Sequence, residues 1–154
     1  MLTFRLAKLE DIRIYFDWAN DPEVREQSFQ SKEIDFSSHE KWFKSKLSDD
    51  SFKMLIFQNE RNENIGQIRI QELDFKNAVI GISIDHLFRG KGYAKEMLTK
   101  ACENYFLVKN NGIIHAYIKK INSNSKLAFE KSGFQYIEMI DFNGYESYHY
   151  NIKK

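Results

Sequence analysis

The sequence predicts an α/β (α+β) fold: a mixed, mostly antiparallel sheet of seven strands with about four helices on its faces. Three observations lead there. Short apolar segments that alternate with polar residues fill much of the first half, and one long amphipathic segment joins two strands in the middle. An Asn143-Gly144 pair then closes a hairpin near the end.

Taken in order, Leu2 to Leu6 alternates as a half-buried strand does, and Leu9, Ile12, Phe16 and Ala19 recur at helical spacing. Ser37-Ser38-His39-Glu40 has the pattern of a capping box, so a second helix carrying Trp42, Phe43 and Leu47 is expected to start there. Phe52 to Phe57 and Ile65 to Leu73 read as strands joined by the polar turn Asn59 to Asn64, and Ala78 to Ile84 as the next strand. From Tyr93 to Val108, the residues Ala94, Met97, Leu98, Ala101, Tyr105 and Val108 trace one face of a helix, which Asn110-Asn111-Gly112 ends. A strand at Ile113 to Ile118 and a helix from Asn122 to Ser132 follow, with Gly133 as the stop. Tyr136 to Phe142 and Tyr145 to Ile152 flank Asn143-Gly144, a pair suited to a turn in which both central residues take positive φ.

A length of 154 residues suits a single domain spanning 1–154, and 23 Lys and Arg against 22 Asp and Glu leave a formal charge of +1. So balanced a chain has no general field for gripping nucleic acid or an anionic membrane, and any anion site must be local. The lone Cys102 cannot form an internal disulfide and lies on an apolar helix face, which marks it as a core residue rather than a nucleophile. No apolar run reads as a signal peptide or membrane span, so the expected compartment is the cytoplasm. One proline and 15% aromatic residues fit a well-filled core and leave no candidate linker.

The chemistry is concentrated after Ile84. Asp85-His86-Leu87-Phe88 leads into Arg89-Gly90-Lys91-Gly92-Tyr93-Ala94 at the mouth of the cleanest helix. Strand, glycine loop and helix form an anion-binding arrangement, because the first N–H groups of a helix point outward and its dipole favours negative charge. The Gly-Lys-Ser/Thr ending of a P-loop and the three glycines of a dinucleotide fingerprint are both absent.

Arg89-x-x-Gly92-x-Ala94 resembles the signature of the GNAT superfamily of N-acetyltransferases, and Asn122-x-x-Ser125 followed by Glu130-Lys131-Ser132-Gly133-Phe134 resembles its later motif. The resemblance implies a splayed GNAT sheet, acetyl-CoA as co-substrate and no metal. It implies cofactor contacts from the backbone of Ile82 and Ile84, from the loop Arg89, Gly90, Lys91, Gly92, Tyr93 and Ala94, and from Asn122, Ser125 and Phe129. It further implies direct transfer to an amine, with the Ile84 N–H as oxyanion donor. Where many members carry a tyrosine as general acid this chain has Phe129, and Ala78 and Val79 stand where some carry a glutamate base, which leaves Glu72 as a possible base. Asp74, Ser83, His86, His115, Tyr145 and Tyr148 are further candidates.

The stretch Asp17-Trp18-Ala19-Asn20-Asp21-Pro22 is similar to the GNAT branch of amino-sugar acetyltransferases of the pseudaminic-acid type and of ribosomal-protein N-terminal acetyltransferases. That implies a small-molecule amine as partner, first a nucleotide-linked amino sugar, and neither nucleic acid nor membrane, in a monomer or homodimer. Arg25, Arg69 and Lys32 would then meet the diphosphate, with Trp18, Phe29, Trp42 or Phe43 against base or sugar. A peptide α-amine or small-amine acceptor is the alternative reading. A non-catalytic acyl-CoA-binding module is the second.

Overall fold

The computed structural model describes all 154 residues. Its strands are β1 (Thr3–Leu6), β2 (Phe52–Gln58), β3 (Asn64–Glu72), β4 (Asn77–Ile84), β5 (Ile113–Lys119), β6 (Gln135–Phe142) and β7 (Tyr145–Lys153). They form one sheet in the order β1-β2-β3-β4-β5-β7-β6. Every neighbouring pair is antiparallel except β4 and β5, which the crossover through a long helix makes parallel. The expected mixed sheet is therefore present, and no helix is long and apolar enough to cross a membrane.

Five α-helices accompany it rather than four: α1 (Ile12–Ala19), α2 (Pro22–Gln27), α3 (Phe36–Leu47), α4 (Tyr93–Val108) and α5 (Ser123–Lys131). Periodicity misses α2 because it buries no residue and so needs no apolar stripe. Its start is nonetheless written in the sequence: Asp21 accepts from the N–H groups of Glu23 and Val24, and Pro22 occupies the first turn, where its missing N–H costs nothing. The capping box expected at Ser37 is also displaced. Asp35 is the N-cap of α3, and its carboxylate accepts from both the N–H and the hydroxyl of Ser38. A carboxylate two residues upstream wins over a serine because its charge also complements the helix dipole. The Asn143-Gly144 turn behaves as expected, with φ of 50° and 84°.

The sheet has two differently covered faces. Leu55, Ile68, Ile70, Ile80, Ile114, Ala116, Ile118 and Tyr150 face α4 and α5 and join Met97, Leu98 and Phe129 in the main core. The alternate residues of β2, Phe52, Met54 and Ile56, face the other way and pack with Tyr15, Trp18 and Phe43 of α1 and α3 in a smaller core. Arg5 grips both oxygens of buried Asp11 at 2.8 and 2.9 Å, which ties the start of α1 to β1. Cys102 lies in the main core, where burial pushes its thiol up to about 12 and leaves it inert.

His39 links the two helices of the smaller core. Its Nε2 donates to the Ile12 carbonyl at 3.0 Å, and burial holds its pKa below the usual histidine value. His115 is depressed in the same direction, by burial and by the neighbouring His149. The unfolded chain therefore binds these protons before the folded one does, and stability falls as pH drops through the unfolded histidine value of about 6.5. Thermal unfolding is accordingly expected to shift to lower temperature between pH 7.5 and 5.5. His39→Gln, which keeps a donor for the Ile12 carbonyl, is expected to shrink that shift, and an unchanged shift refutes the assignment.

Candidate active site

The parallel pairing of β4 with β5 covers only Asn77, Ala78 and Val79, opposite Ile113, Ile114 and His115. Both strands continue, β4 to Ile84 and β5 to Lys119, while β5 stays fully paired to β7 and β4 to β3. The sheet thus parts into a V whose apex is at Val79. The ladder fixes which backbone groups face it. Asp85 N–H bonds the Ile65 carbonyl and Leu73 N–H the Asn77 carbonyl, so odd-numbered residues of β4 bond β3 and even-numbered ones turn their N–H and C=O the other way. Ile82 and Ile84, the two residues the resemblance singles out, therefore direct main-chain groups into the V.

At the open end β4 leads through Asp85 and a 3-10 turn at His86–Phe88 to the glycine loop and α4. Gly90 and Gly92 take φ of 74° and 80°, and a Cβ on either would touch nothing, so conformation rather than space demands glycine here. Gly92 is the N-cap of α4 and supplies no side-chain acceptor, which leaves the first N–H groups of a 16-residue helix without a side-chain cap beside the V. Lys91 adds a cation near this helix mouth, its Nζ 5.8 Å from the centre of the Phe88 ring, and Tyr93 packs against the main core.

A family model described as an acetyltransferase (GNAT) domain matches residues 1–135. The chain belongs to the GNAT acetyltransferase family. It is 27% identical over 135 residues to the SPbeta prophage-derived uncharacterized N-acetyltransferase YokL of Bacillus subtilis, covering 86% of this chain and 75% of that protein. Spermidine N-acetyltransferase from Vibrio cholerae, solved with CoA and spermine, superposes with a TM-score of 0.89 at 19% identity over 99% of this chain and 95% of that one. Aminoglycoside acetyltransferase AAC(6')-Ib, solved with coenzyme A, gives 0.87 at 17% identity over 100% and 95%. The GNAT architecture accounts for the V. The two solved structures are those of a spermidine and an aminoglycoside acetyltransferase, not of the amino-sugar branch suggested by Asp17 to Pro22.

Against this GNAT frame several expected contacts are relocated. Arg89 does not extend its guanidinium along the loop: Nε donates to the Ile84 carbonyl, Nη1 to Glu23 at 2.6 Å and Nη2 to Asp21 at 3.0 Å. It fastens the start of α2 to the loop. Phe129 is buried in the main core, edge-on to Phe134 at 4.9 Å. Asn122 caps α5 by accepting from Ser125 N–H at 3.2 Å. Glu72 pairs with Ala78 while Gly66 pairs with Ile84, which puts Glu72 roughly 20 Å along the sheet from the loop, and its carboxylate meets Lys109 at 3.5 Å.

The acceptor-side candidates are relocated too. The guanidinium of Arg25 donates to the Ala19, Gln30 and Lys32 carbonyls and to Ser28 Oγ, so it staples the chain after α2. Trp18 is buried with its indole N–H on Asp85 at 2.8 Å, and Phe43 is fully buried, so neither is free to stack on a ligand. Trp42 stands edge-on to Phe52, and Phe29 packs on Phe142. His115 is not free to take a proton. Asp74 accepts from the Asn77 amide nitrogen, which turns the Asn77 oxygen to His115 Nε2, while His115 Nδ1 meets His149 Nε2 at 2.9 Å. His149 Nδ1 in turn meets Glu138 at 3.0 Å.

Lys119 was not anticipated. It is buried at the end of β5, where Nζ donates to the Glu26 carbonyl of α2 at 2.9 Å and lies 3.7 Å from the centre of the Tyr145 ring. Helix α2 is thus fastened by Arg89 on the β4 side and by Lys119 on the β5 side, and it roofs the V. Its short length and lack of a buried stripe hid it in the sequence.

Removing the first anchor should free one end of the strap. Arg89→Ala is expected to cost about 1–3 kcal/mol in urea unfolding and to speed tryptic cleavage after Arg25. Arg89→Lys is expected to recover less than half of this, since one ammonium cannot serve three diverging acceptors. Equal cleavage rates in the three proteins contradict the strap.

Proposed function

We propose that this chain transfers the acetyl group of acetyl-CoA to the primary amine of a small molecule. One feature supports this above the rest: the uncapped mouth of α4 stands beside strand backbone that turns into the V, an anion seat next to a ladder edge. The diphosphate of the cofactor sits on the N–H groups of Gly90 to Ala94, with Lys91 adding charge. The pantetheine arm, an amide chain, extends the sheet along Ile82 and Ile84. The thioester then lies in the V, where the Ile84 N–H, with that of Ile82 beside it, is aimed to polarise its oxygen. Asn122 and Ser125 flank the arm from the start of α5.

The amine enters from the opposite face, under α1 and α2. Its nitrogen attacks the carbonyl carbon, a C–N bond forms, the C–S bond breaks, and coenzyme A leaves as a thiolate that ends as thiol with the proton lost by the amine. Phe129 is buried, Glu72 is remote and the nitrogens of His115 are engaged, so these side chains do not carry that proton and water does. The chain's own contribution is position and electrostatics. A small amine is favoured as acceptor because V. cholerae spermidine acetyltransferase and AAC(6')-Ib, which share the fold, act on free amines of that size. A nucleotide-linked amino sugar is the narrower case of the same chemistry.

Calorimetry with CoA and thiol release from acetyl-CoA with added amines test this together. Gly92→Glu puts a side chain at φ of 80° and a negative charge where a diphosphate would sit, so CoA affinity is expected to fall roughly 100-fold or more. Wild-type protein that ignores CoA refutes the reading. Binding with no thiol release from any amine reduces the chain to a cofactor-binding module.

A further inference from the structure

Arg69 is a half-buried cation of the acceptor face that is bonded to nothing. It pairs across the sheet with Met54 and Gly81, so its side chain lies on the face covered by α1 and α3. The residue is half-buried and its guanidinium is largely desolvated, yet it makes no hydrogen bond and no ion pair, which is uncommon for an arginine so placed. The guanidinium lies flat over Gly81: a Cβ there would meet Cζ at 2.8 Å, Nη2 at 2.9 Å and Nε at 3.0 Å. Gly81 is two residues past Val79, the apex of the V, and stands between Ile80 and Ile82 on β4. The charge is therefore held against β4 near the apex of the V, on the face covered by α1 and α3.

Its surroundings offer no anion. Tyr15, a neighbour in the same charge environment, has a buried hydroxyl with no partner, and the Gln67 oxygen is also unpaired while its amide bonds Ser83. Arg25 is close enough to add to the positive potential, and Lys119 on the far wall bonds only a carbonyl. No carboxylate acts on its charge, and Asp21 and Glu23 of α2 are paired with Arg89. Burial pulls the Arg69 pKa down, yet a guanidinium stays charged at any physiological pH.

We propose that Arg69 is an anion hook for the acceptor, so that the amine acetylated here carries a carboxylate or phosphate group that pairs with Arg69 over Gly81. This rests on the acetyltransferase reading above. It separates the chain from a polyamine enzyme, whose cationic substrate this pocket repels.

The test is thiol release from acetyl-CoA with paired acceptors that differ only in charge: amino acids against their amides, and glucosamine 6-phosphate against glucosamine, with a nucleotide-linked amino sugar, spermidine and kanamycin alongside. The carboxylate and phosphate arms tell the two anion sources apart. The anionic member of at least one pair is expected to lead by roughly tenfold or more in kcat/KM, with spermidine well below it. Arg69→Gln is expected to erase that lead by raising the acceptor KM, with KM for acetyl-CoA and for the neutral partner within about twofold of wild type. A purely structural arginine would impair all acceptors alike. Gly81→Ala keeps the charge but displaces it, and is expected to weaken the same preference should Arg69→Gln not fold. Equal use of both members, preference for spermidine, or an Arg69→Gln protein with unchanged discrimination overturns the hook and leaves the acetyltransferase reading intact. Should no amine turn over, calorimetry of the same anionic amines on CoA-saturated protein decides: binding lost in Arg69→Gln supports the hook, and no binding to wild type overturns it.

Discussion

The parting of β4 from β5 is the constraint on which the rest of this molecule depends. A strand edge inside a protein is costly, because buried main-chain donors and acceptors need partners. Here β4 gives up its β5 partner after Val79, and the residues beyond it keep bonds to β3 alone. A ligand that is itself a chain of amides satisfies such an edge as a further strand would. The uncapped helix mouth at Gly92 poses the matching demand at the open end, for an anion instead of a strand. The two demands lie in line along β4 and α4, and one elongated ligand with amides and a diphosphate answers both.

Holding a V open requires that its walls not collapse together. The β4 wall is braced by β3 and by the main core under α4, and the β5 wall by β7 along its whole length. Helix α2 spans the opening on the other face, with Arg89 pinning one end and Lys119 the other. Charged anchors suit this task better than apolar ones. They fix the ends of a helix that buries nothing.

The sequence revealed whatever burial imposes as a period. All seven strands and the four helices with an apolar face were readable, as was the glycine loop, whose φ values admit little else. What it hid follows from the same rule. Helix α2 has no buried stripe, so only its Asp21-Pro22 start marked it. Asp35 outcompeted Ser37 as a cap, a choice between near neighbours that depends on where the chain enters the helix. Positions were legible where backbone geometry decides them, with Ile82 and Ile84 on the strand edge beside the V and Gly92 at the helix mouth. They were poorly legible when side-chain direction decides, as at Phe129, Glu72 and Arg25. Phe129 falls on the helix that carries the later motif, yet its side chain turns inward to Phe134.

The arginines make this concrete, because residue type alone assigns them one role and the structure assigns them three. Arg89 belongs to the signature loop but answers two carboxylates of α2, so its charge is neutralised where it stands. Arg25 is saturated by carbonyl oxygens, which orient it without cancelling its charge. Arg69 has neither carboxylate nor carbonyl, and Gly81 gives it room at the apex of the V. Were Arg89 absent, Asp21 and Glu23 would be available to the cations beneath α2, and the cleft would lose its sign. The loop arginine thus holds two acids of α2 in its own ion pairs, and under the proposal above the field left at Arg69 would favour an acceptor that brings its own negative group.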